Sequence, residues 1–289
     1  MEVEVRRLTK PEELVEVVEV HASAWGSRDY REVAPAHVLR ALVDNGGLVL
    51  GAFINGKMVG ASYGWVVCEG GERYFYSHAT GVAEGYKYRG VGYALKLKQR
   101  EEVLRMGIKL IKWTFDPLQS LNSRFNLRKL GVVYREYYVN YYGEMTDAIN
   151  RGLGSDRVKA EWWIASRLVE AKLSGSLTVP GAGELVESYG AEVAVLNEGG
   201  LPRVVRDSSE VGSEIALIAL PRSISEVRDR FGVEAAARWR EATRRVLRGL
   251  LRRGYIAVDY AEGKGSGYVV LVKRSLGEVL EGKLPWARR

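Results

Sequence analysis

A glycine-rich, basic loop stands directly before a helix-forming run in the segment GYKYRGVGYALKLKQR, residues 85–100. Gly90 and Gly92 let backbone N–H groups approach a ligand, because no Cβ obstructs them. A helix N-terminus adds unpaired N–H groups and a partial positive charge, and Lys87 and Arg89 add full charges. The loop therefore predicts a cradle for the pyrophosphate of a phosphorylated small molecule. The alternative is a plain tight turn with solvated basic side chains.

Two familiar phosphate-binding loops do not fit this segment. A P-loop needs the string Gly-x-x-x-x-Gly-Lys-Ser/Thr, which the chain lacks. A dinucleotide fingerprint needs a third glycine three residues after Gly92, and Leu95 stands there. The loop must therefore be understood as a different kind of strand–helix junction.

The elements that position this loop can be predicted from periodicity and turn signals. The chain begins with a strand and two helices, and two strands then flank Asn55-Gly56, a strong hairpin signal. The strand RYFYSHATGV precedes the loop, and a helix from about Val91 to Met106 follows it. A strand cut off by Pro117, a short helix ended by Gly131 and an aromatic strand come next. Parallel pairing across the helix and antiparallel pairing at the hairpin together predict a mixed sheet.

The chain resembles the GNAT superfamily of N-acyltransferases, whose signature is Gln/Arg-x-x-Gly-x-Gly/Ala at a strand–helix junction. Here the signature reads KYRGVG, with Lys87 where Gln or Arg is usual. The segments SHATGV, WTFDPL and NLRKLG also resemble an uncharacterised bacterial and archaeal branch. The resemblance implies an α/β (α+β) fold with a mixed, mostly antiparallel central sheet. It implies a GNAT domain over residues 1–171 and a C-terminal α+β extension over 172–289.

The resemblance also implies the co-substrate, acetyl-CoA or coenzyme A. In GNAT proteins the loop holds the pyrophosphate, and the preceding strand pairs with the pantetheine arm. The implied cofactor-binding residues are Thr80, Gly81, Val82, Lys87, Tyr88, Arg89, Gly90, Val91, Gly92, Tyr93, Asn122 and Asn126. No metal is expected. Direct transfer needs no cysteine nucleophile, and the single cysteine, Cys68, excludes an internal disulfide framework.

Acetyl transfer from a thioester to an amine needs a base for the amine, a donor for the oxyanion and an acid for the thiolate. His78 is the predicted base, because an imidazole with a pKa near ~6.5 suits proton transfer around neutrality. A His or Glu at such a position often serves as base in GNAT members. Regular strand alternation would place His78 on the face of Thr80 and Val82, with Ser77 opposite. The alternative is a structural histidine.

The acid and the acceptor-binding group are less well defined. Many GNAT enzymes carry a tyrosine four residues before the glycine that ends the last helix, and Leu127 stands there. Tyr134 is a substitute by proximity only. Asp116 ends a strand before Pro117, where it could hold an acceptor amine or cap the following helix, and both interpretations stay open.

Arginines are concentrated in one long predicted helix, residues 233–253. An apolar stripe through Trp239, Val246 and Leu250 makes this helix amphipathic, so its arginines are expected to be solvated or ion-paired. Binding of RNA or of an acidic acceptor is the alternative, and the net charge of +7 suits an anionic partner.

These residues predict an acyl-CoA-dependent N-acyltransferase, with acetyl-CoA as donor and an unidentified small-molecule or peptide amine as acceptor. The alternatives are a coenzyme A-binding regulator without catalysis, favoured by Leu127, and an RNA- or ribosome-associated protein. No apolar run long enough for a membrane helix and no signal peptide are recognised, so a cytoplasmic protein without a membrane partner is expected. The extension over 172–289 could shape the acceptor site or a homodimer contact.

Overall fold

The structure is a computed structural model that describes residues 2–26, 33–143 and 153–287. Contacts divide the chain into two compact units, Met1–Trp113 and Thr114–Arg289. This division falls inside one strand, Leu110–Phe115. The predicted family-domain boundary between residues 171 and 172 stays a prediction.

The first unit forms a sheet with the strand order β1-β2-β3-β4-β5. Neighbouring strands are antiparallel from β1 to β4, whereas β4 and β5 are parallel. Its elements are β1 Glu4–Arg7, α1 Pro11–Trp25, α2 Ala36–Asp44, β2 Leu48–Ile54, β3 Lys57–Glu69, β4 Glu72–Val82, α3 Val91–Arg105 and β5 Leu110–Phe115.

Local sequence explains the elements of the first unit. Pro11 starts α1, where its missing N–H costs no helical hydrogen bond, and Gly26 ends it in the left-handed conformation. Asn55 and Gly56 both have positive φ, which matches the twist of the hairpin that they connect. Buried apolar side chains of α1 and α2 pack with those of β2 and β3, and they include Leu14, Val17, Leu39, Val49 and Met58.

The second unit forms a sheet with the strand order β7-β6-β11-β12-β10-β8-β9. Only β8 and β10 are parallel among its paired strands. A short helix α4, Ser120–Ser123, continues as π-helical turns over Arg124–Lys129. The remaining elements are β6 Val133–Tyr138, β7 Arg157–Trp163, α5 Arg167–Ser174, α6 Ala182–Tyr189, β8 Glu192–Glu198, β9 Leu201–Val204, β10 Ile215–Leu220, α7 Ile224–Phe231, α8 Val233–Arg252, β11 Ile256–Glu262, β12 Gly267–Val272 and α9 Leu276–Leu280.

The predicted fold class, a mixed and mostly antiparallel α/β sheet, is confirmed. The predicted order of a strand, two helices, three strands, a helix and a strand is found in β1 to β5. No helix among the described residues is both long enough and apolar enough to cross a membrane.

Candidate functional site

A β-bulge at His78 shapes the strand before the glycine-rich loop. Tyr63 of β3 lies opposite Ala79, and the next residue, Gly64, lies opposite Ser77. His78 is therefore the extra residue on β4. A bulge leaves its extra residue unpaired and re-aims the side chains that follow it.

The bulge corrects the predicted orientation of His78. Thr80 hydrogen-bonds Ser62 at 2.9 Å, and Ser62 accepts a hydrogen bond from Gln99 of α3, so Thr80 faces α3. His78 instead contacts the ring of Tyr63, with 5.4 Å between centroids, and Tyr63 contacts His21 of α1. His78 and Thr80 thus lie on opposite faces, contrary to the prediction, because the extra residue interrupts the period of two.

The backbone edge of β4 beyond the bulge is not paired with β5. The parallel ladder covers only Phe75 and Tyr76, opposite Ile111 and Lys112, whereas β4 continues to Val82. On its other edge, β4 pairs with β3 as far as Val82. The stretch from Ser77 to Val82, which includes the predicted Gly81 and Val82, is therefore available on one side for an extended ligand.

His78 lies in a cluster of aromatic rings. Besides Tyr63, it contacts Trp65 and Tyr76, with 5.4 and 6.1 Å between ring centroids. The side chain is exposed, but these rings displace enough water to lower the pKa of the imidazole below its usual value of 6.5. His78 is thus neutral near neutral pH, the protonation state that a general base needs.

His21, the second imidazole of this cluster, is almost fully buried. Burial lowers its pKa to about 4, because the charged form would lose its hydration. Its Nε2 lies 3.1 Å from the carbonyl oxygen of Ala61, so Nε2 carries the proton and donates to that oxygen. The side chain also touches the backbone of β4, because a Cβ on Gly81 would come within 2.8 Å of it. His21 therefore supports β4 from the side of α1.

The glycine-rich loop ends at the N-terminus of α3 without a protein cap. Gly90 is the N-cap in the left-handed conformation, with φ of 84°, and no side chain caps the helix. No acidic residue stands in the first turn. The amide of Ala94 donates to the carbonyl of Gly90 as the first helical hydrogen bond. The N–H groups of Val91, Gly92 and Tyr93, all predicted cofactor-binding residues, therefore stand where an anion would be bound.

The side chains of the loop are placed around this helix end. Tyr88 has positive φ and is 87% exposed. Lys87 forms an ion pair of 2.6 Å with Glu84, and Arg89 is exposed, with its guanidinium 5.9 Å from the ring centre of Tyr86. The loop thus presents exposed cations beside the uncapped helix end.

A buried polar network behind β4 was not predicted. Lys96 of α3 is only 4% exposed, and its Nζ donates to Ser77 Oγ at 2.9 Å and to Gln99 Oε1 at 3.1 Å. The amine also lies 4.0 Å from the ring centre of Trp113. Burial lowers the pKa of Lys96 to about 7. No sequence signal marked this residue, because a lysine in an amphipathic helix normally reaches solvent.

Asp116 is held by partners within the second unit. Arg240 of α8 donates from Nη1 and Nη2 to the two carboxylate oxygens, both at 2.7 Å. The backbone N–H of Leu118 donates to Oδ1 at 2.9 Å, so the predicted cap of the following turn is present. Both members of the ion pair are buried. The predicted contact with an acceptor amine stays a prediction, and the carboxylate already has two strong partners.

The other predicted residues of the second unit lie on the α4 segment and β6. Asn126 is buried and its side-chain amide donates to Asn122 at 3.3 Å. Leu127, at the position of the usual tyrosine, is fully buried. Tyr134 is also fully buried, its hydroxyl has no hydrogen-bond partner among the described residues, and burial raises its pKa. A raised pKa makes this phenol a weak acid, and its catalytic role stays a prediction.

In the ranges that the structure describes, no group of three His, Cys, Asp or Glu side chains is arranged to hold a metal ion.

Comparisons with known proteins give the class of the fold. No family model matches the sequence, and no curated protein matches it. The chain is similar to the PaiA N-acetyltransferase from Thermoplasma acidophilum in complex with coenzyme A, with 19% identity and a TM-score of 0.40 over 55% of this chain and 98% of that chain. It is also similar to an acetyltransferase of the GNAT family from Streptococcus pneumoniae, with 16% identity and a TM-score of 0.46 over 55% and 98% of the two chains.

A third similar structure is an aminoglycoside acetyltransferase from an uncultured soil metagenomic sample in complex with sisomicin. It has 14% identity and a TM-score of 0.38 over 42% of this chain and 82% of that chain. These proteins are acetyltransferases, the class that the sequence resembles. At such identities and TM-scores the likeness carries no argument about an acceptor or a catalytic residue, which must be argued from this chain alone.

Proposed function

We propose that the chain is a GNAT-type N-acyltransferase that uses acetyl-CoA and transfers the acyl group directly to an amine. The unpaired edge of β4 from Ser77 to Val82 carries this proposal. An extended pantetheine arm contains amide groups that can hydrogen-bond such an edge as an added strand would. The edge leads to the uncapped N-terminus of α3, whose N–H groups suit the pyrophosphate.

His78 is the proposed general base. Its lowered pKa keeps the imidazole neutral, and its position on the bulge separates it from the ladder of β3 and β4. The backbone N–H groups around the bulge are candidate donors to the oxyanion. The acid for the leaving thiolate is not assigned, because Leu127 has no proton to give.

A coenzyme A-binding regulator without catalysis is the second candidate. The burial of Leu127 favours it, since an apolar side chain replaces the phenol that many GNAT enzymes use. Cofactor binding without acetyl transfer to any acceptor would support this candidate. The cytoplasmic location and the homodimer stay predictions.

Substitutions at Gly92 test cofactor binding. Its φ needs no glycine, and a Cβ there would lie 3.7 Å from Val82, an ordinary contact. Gly92→Ala should therefore retain binding. Gly92→Asp should fold equally well, because a carboxylate suits a helix N-terminus, but it should repel the pyrophosphate. We expect acetyl-CoA to raise the melting temperature of the wild type and of Gly92→Ala, and to leave Gly92→Asp unchanged.

Titration calorimetry on the same variants supplies the affinity. An undiminished affinity in Gly92→Asp would place the pyrophosphate elsewhere and contradict the cradle. Binding in the wild type without turnover would retain the cradle and favour the regulator.

A further inference from the structure

A second site can be argued in the unit Thr114–Arg289, on the arginine-rich helix. An open pocket of about 260 Å³ lies between β6 and the C-terminal half of α8. Its lining residues are Arg135, Glu136, Tyr137, Tyr138, Arg248, Leu251 and Arg252. None of them belongs to the predicted acyl-transfer machinery.

Most arginines in the middle of α8 are bound to carboxylates. Arg240 pairs with Asp116 and Arg244 pairs with Asp156, each through bidentate hydrogen bonds. Arg245 lies 3.4 Å from Asp207. These three explain how part of a strongly basic helix is neutralised within its own unit.

The two arginines in the pocket differ from these. Among the residues described, no hydrogen-bond or ion-pair partner is found for Arg248 or Arg252. They stand four residues apart on α8, so both guanidinium groups lie on the same side of the helix. Arg248 is half-buried and Arg252 is exposed. A half-buried cation without a counter-charge is costly, and a bound anion would remove that cost.

The remaining charges of the pocket nearly cancel. Arg135 donates two hydrogen bonds to Glu161, at 3.0 and 3.1 Å. Glu136 accepts a hydrogen bond from the hydroxyl of Tyr138 and is the one acidic residue among those lining the pocket. Arg135 therefore offsets Glu161, and Arg248 and Arg252 leave an excess of positive charge over Glu136.

The apolar part of the lining indicates the shape of the ligand. The hydroxyl of Tyr137 already donates to Asp156 at 2.5 Å, so this residue offers its ring rather than its hydroxyl. Tyr138 and Leu251 add further apolar surface. Aromatic rings beside guanidinium groups suit a planar organic body that carries an oxyanion.

We propose that this pocket binds a small organic anion, with a phosphate or carboxylate held by Arg248 and Arg252 and a planar body against the two tyrosines. The volume suits a ligand of one aromatic ring and its charged group. A guanidinium fork matches the geometry of both oxyanions. The site does not depend on the proposed acyl transfer, because all its lining residues lie outside the β4 edge and the α3 cradle.

Titration calorimetry with defined probes tests this site in the absence of coenzyme A. Phenyl phosphate and benzoate are the two oxyanion probes, inorganic phosphate lacks the planar body, and benzyl alcohol lacks the charge. We expect phenyl phosphate or benzoate to bind, inorganic phosphate to bind about tenfold more weakly or worse, and benzyl alcohol not to bind. The better of the two oxyanion probes identifies the charged group.

Three variants of one helix locate the binding. Arg248→Gln and Arg252→Gln should each weaken probe binding about tenfold or more, because each removes a charge-assisted hydrogen bond. Arg238→Gln is the matched control. This residue is exposed on the same helix and does not line the pocket, so its loss should change affinity less than about twofold.

Three results would overturn the proposal: no measurable binding of either oxyanion probe, equal binding of inorganic phosphate, or equal weakening by Arg238→Gln. The last would show a general attraction of anions to the helix. Melting curves verify that each variant folds. If Arg248→Gln does not fold, Arg252→Gln decides alone, because an exposed side chain without a described partner contributes little to stability.

Discussion

The imidazole of His78 is the group on which the chemistry of the proposed reaction depends. We expect His78→Ala to lower turnover by roughly 10²-fold or more, since the amine would lose its base. Coenzyme A affinity should stay nearly unchanged, because the cradle lies on α3. The wild-type rate should rise with pH through the lowered pKa of His78, with a midpoint below 6.5. Thiol release from acetyl-CoA in the presence of an acceptor gives the rate.

His37→Ala is the control for this experiment, because His37 is an exposed imidazole on α2. Its removal should leave the rate and its pH dependence unchanged. If His78→Ala lowered the melting temperature while turnover persisted, the histidine would be structural, and another base would be needed.

Lys96 makes a prediction about stability. Its pKa falls from 10.5 to about 7 on folding, so between these values the unfolded chain holds a proton that the folded chain lacks. Stability should therefore rise with pH in this window, by up to about 1.4 kcal/mol per pH unit. We expect the unfolding free energy of the wild type to gain about 2 kcal/mol relative to Lys96→Met between pH 7 and 9.

Denaturant unfolding at several pH values measures this difference, and the subtraction removes groups that titrate alike in both proteins. Parallel pH profiles for the two proteins would mean that Lys96 keeps an ordinary pKa and that water reaches its amine.

At the scale of the strand, Gly64 permits the bulge on β4. A Cβ at this position would lie 2.2 Å from the carbonyl oxygen of Tyr76 and 2.6 Å from the ring of Phe75. Because the backbone must shift to admit it, we expect Gly64→Ala to cost about 2–3 kcal/mol. Turnover should fall as well, since the shift moves the strand that carries His78. Melting curves and rate measurements check both effects.

Gly183→Ala serves as the comparison for Gly64→Ala. A Cβ on Gly183 in α6 would meet nothing within 4 Å, so alanine should leave stability unchanged or raise it by about 0.5–1 kcal/mol. Equal effects of the two substitutions would contradict the steric argument at Gly64.

The elements around the site could largely be predicted, but the faces of β4 could not. The hairpin at Asn55-Gly56 and the order from β1 to β5 follow from turn residues and periodicity. The bulge has no local signature, because Ser77 and His78 both suit an ordinary strand. Lys96 was missed for a related reason. Its burial depends on polar partners from other elements, which a helical pattern does not reveal.

The linker prediction after Ser174 was only partly correct. Its small residues do occur around turns, but Ala182–Tyr189 forms helix α6. Leu185 of that helix is fully buried, so tertiary packing stabilises a segment whose composition alone favours a loop.

For the molecule as a whole, stability depends on ion pairs between residues far apart in sequence. Asp116 and Arg240 are separated by 124 residues and are both buried, so no local pattern could have paired them. Removal of one partner leaves an uncompensated buried charge. We expect Arg240→Met to cost about 3–5 kcal/mol, measured by denaturant unfolding.

Arg245→Met on the same helix is the control, because Arg245 and Asp207 are 58% and 42% exposed. Its cost should stay below about 1 kcal/mol. If Arg240→Met were equally mild while the acceptor KM rose, Asp116 would have the acceptor-binding role that the sequence first suggested.

The extra residue at His78 also affects how this chain should be aligned with other proteins. From Ala79 onward, β4 has the opposite parity from the one that counting from Tyr74 would give. A relative with an unbroken strand must therefore be aligned with a one-residue gap at this position. Without that gap, every substitution compared between Ala79 and Val82 would be assigned to the wrong face of the sheet.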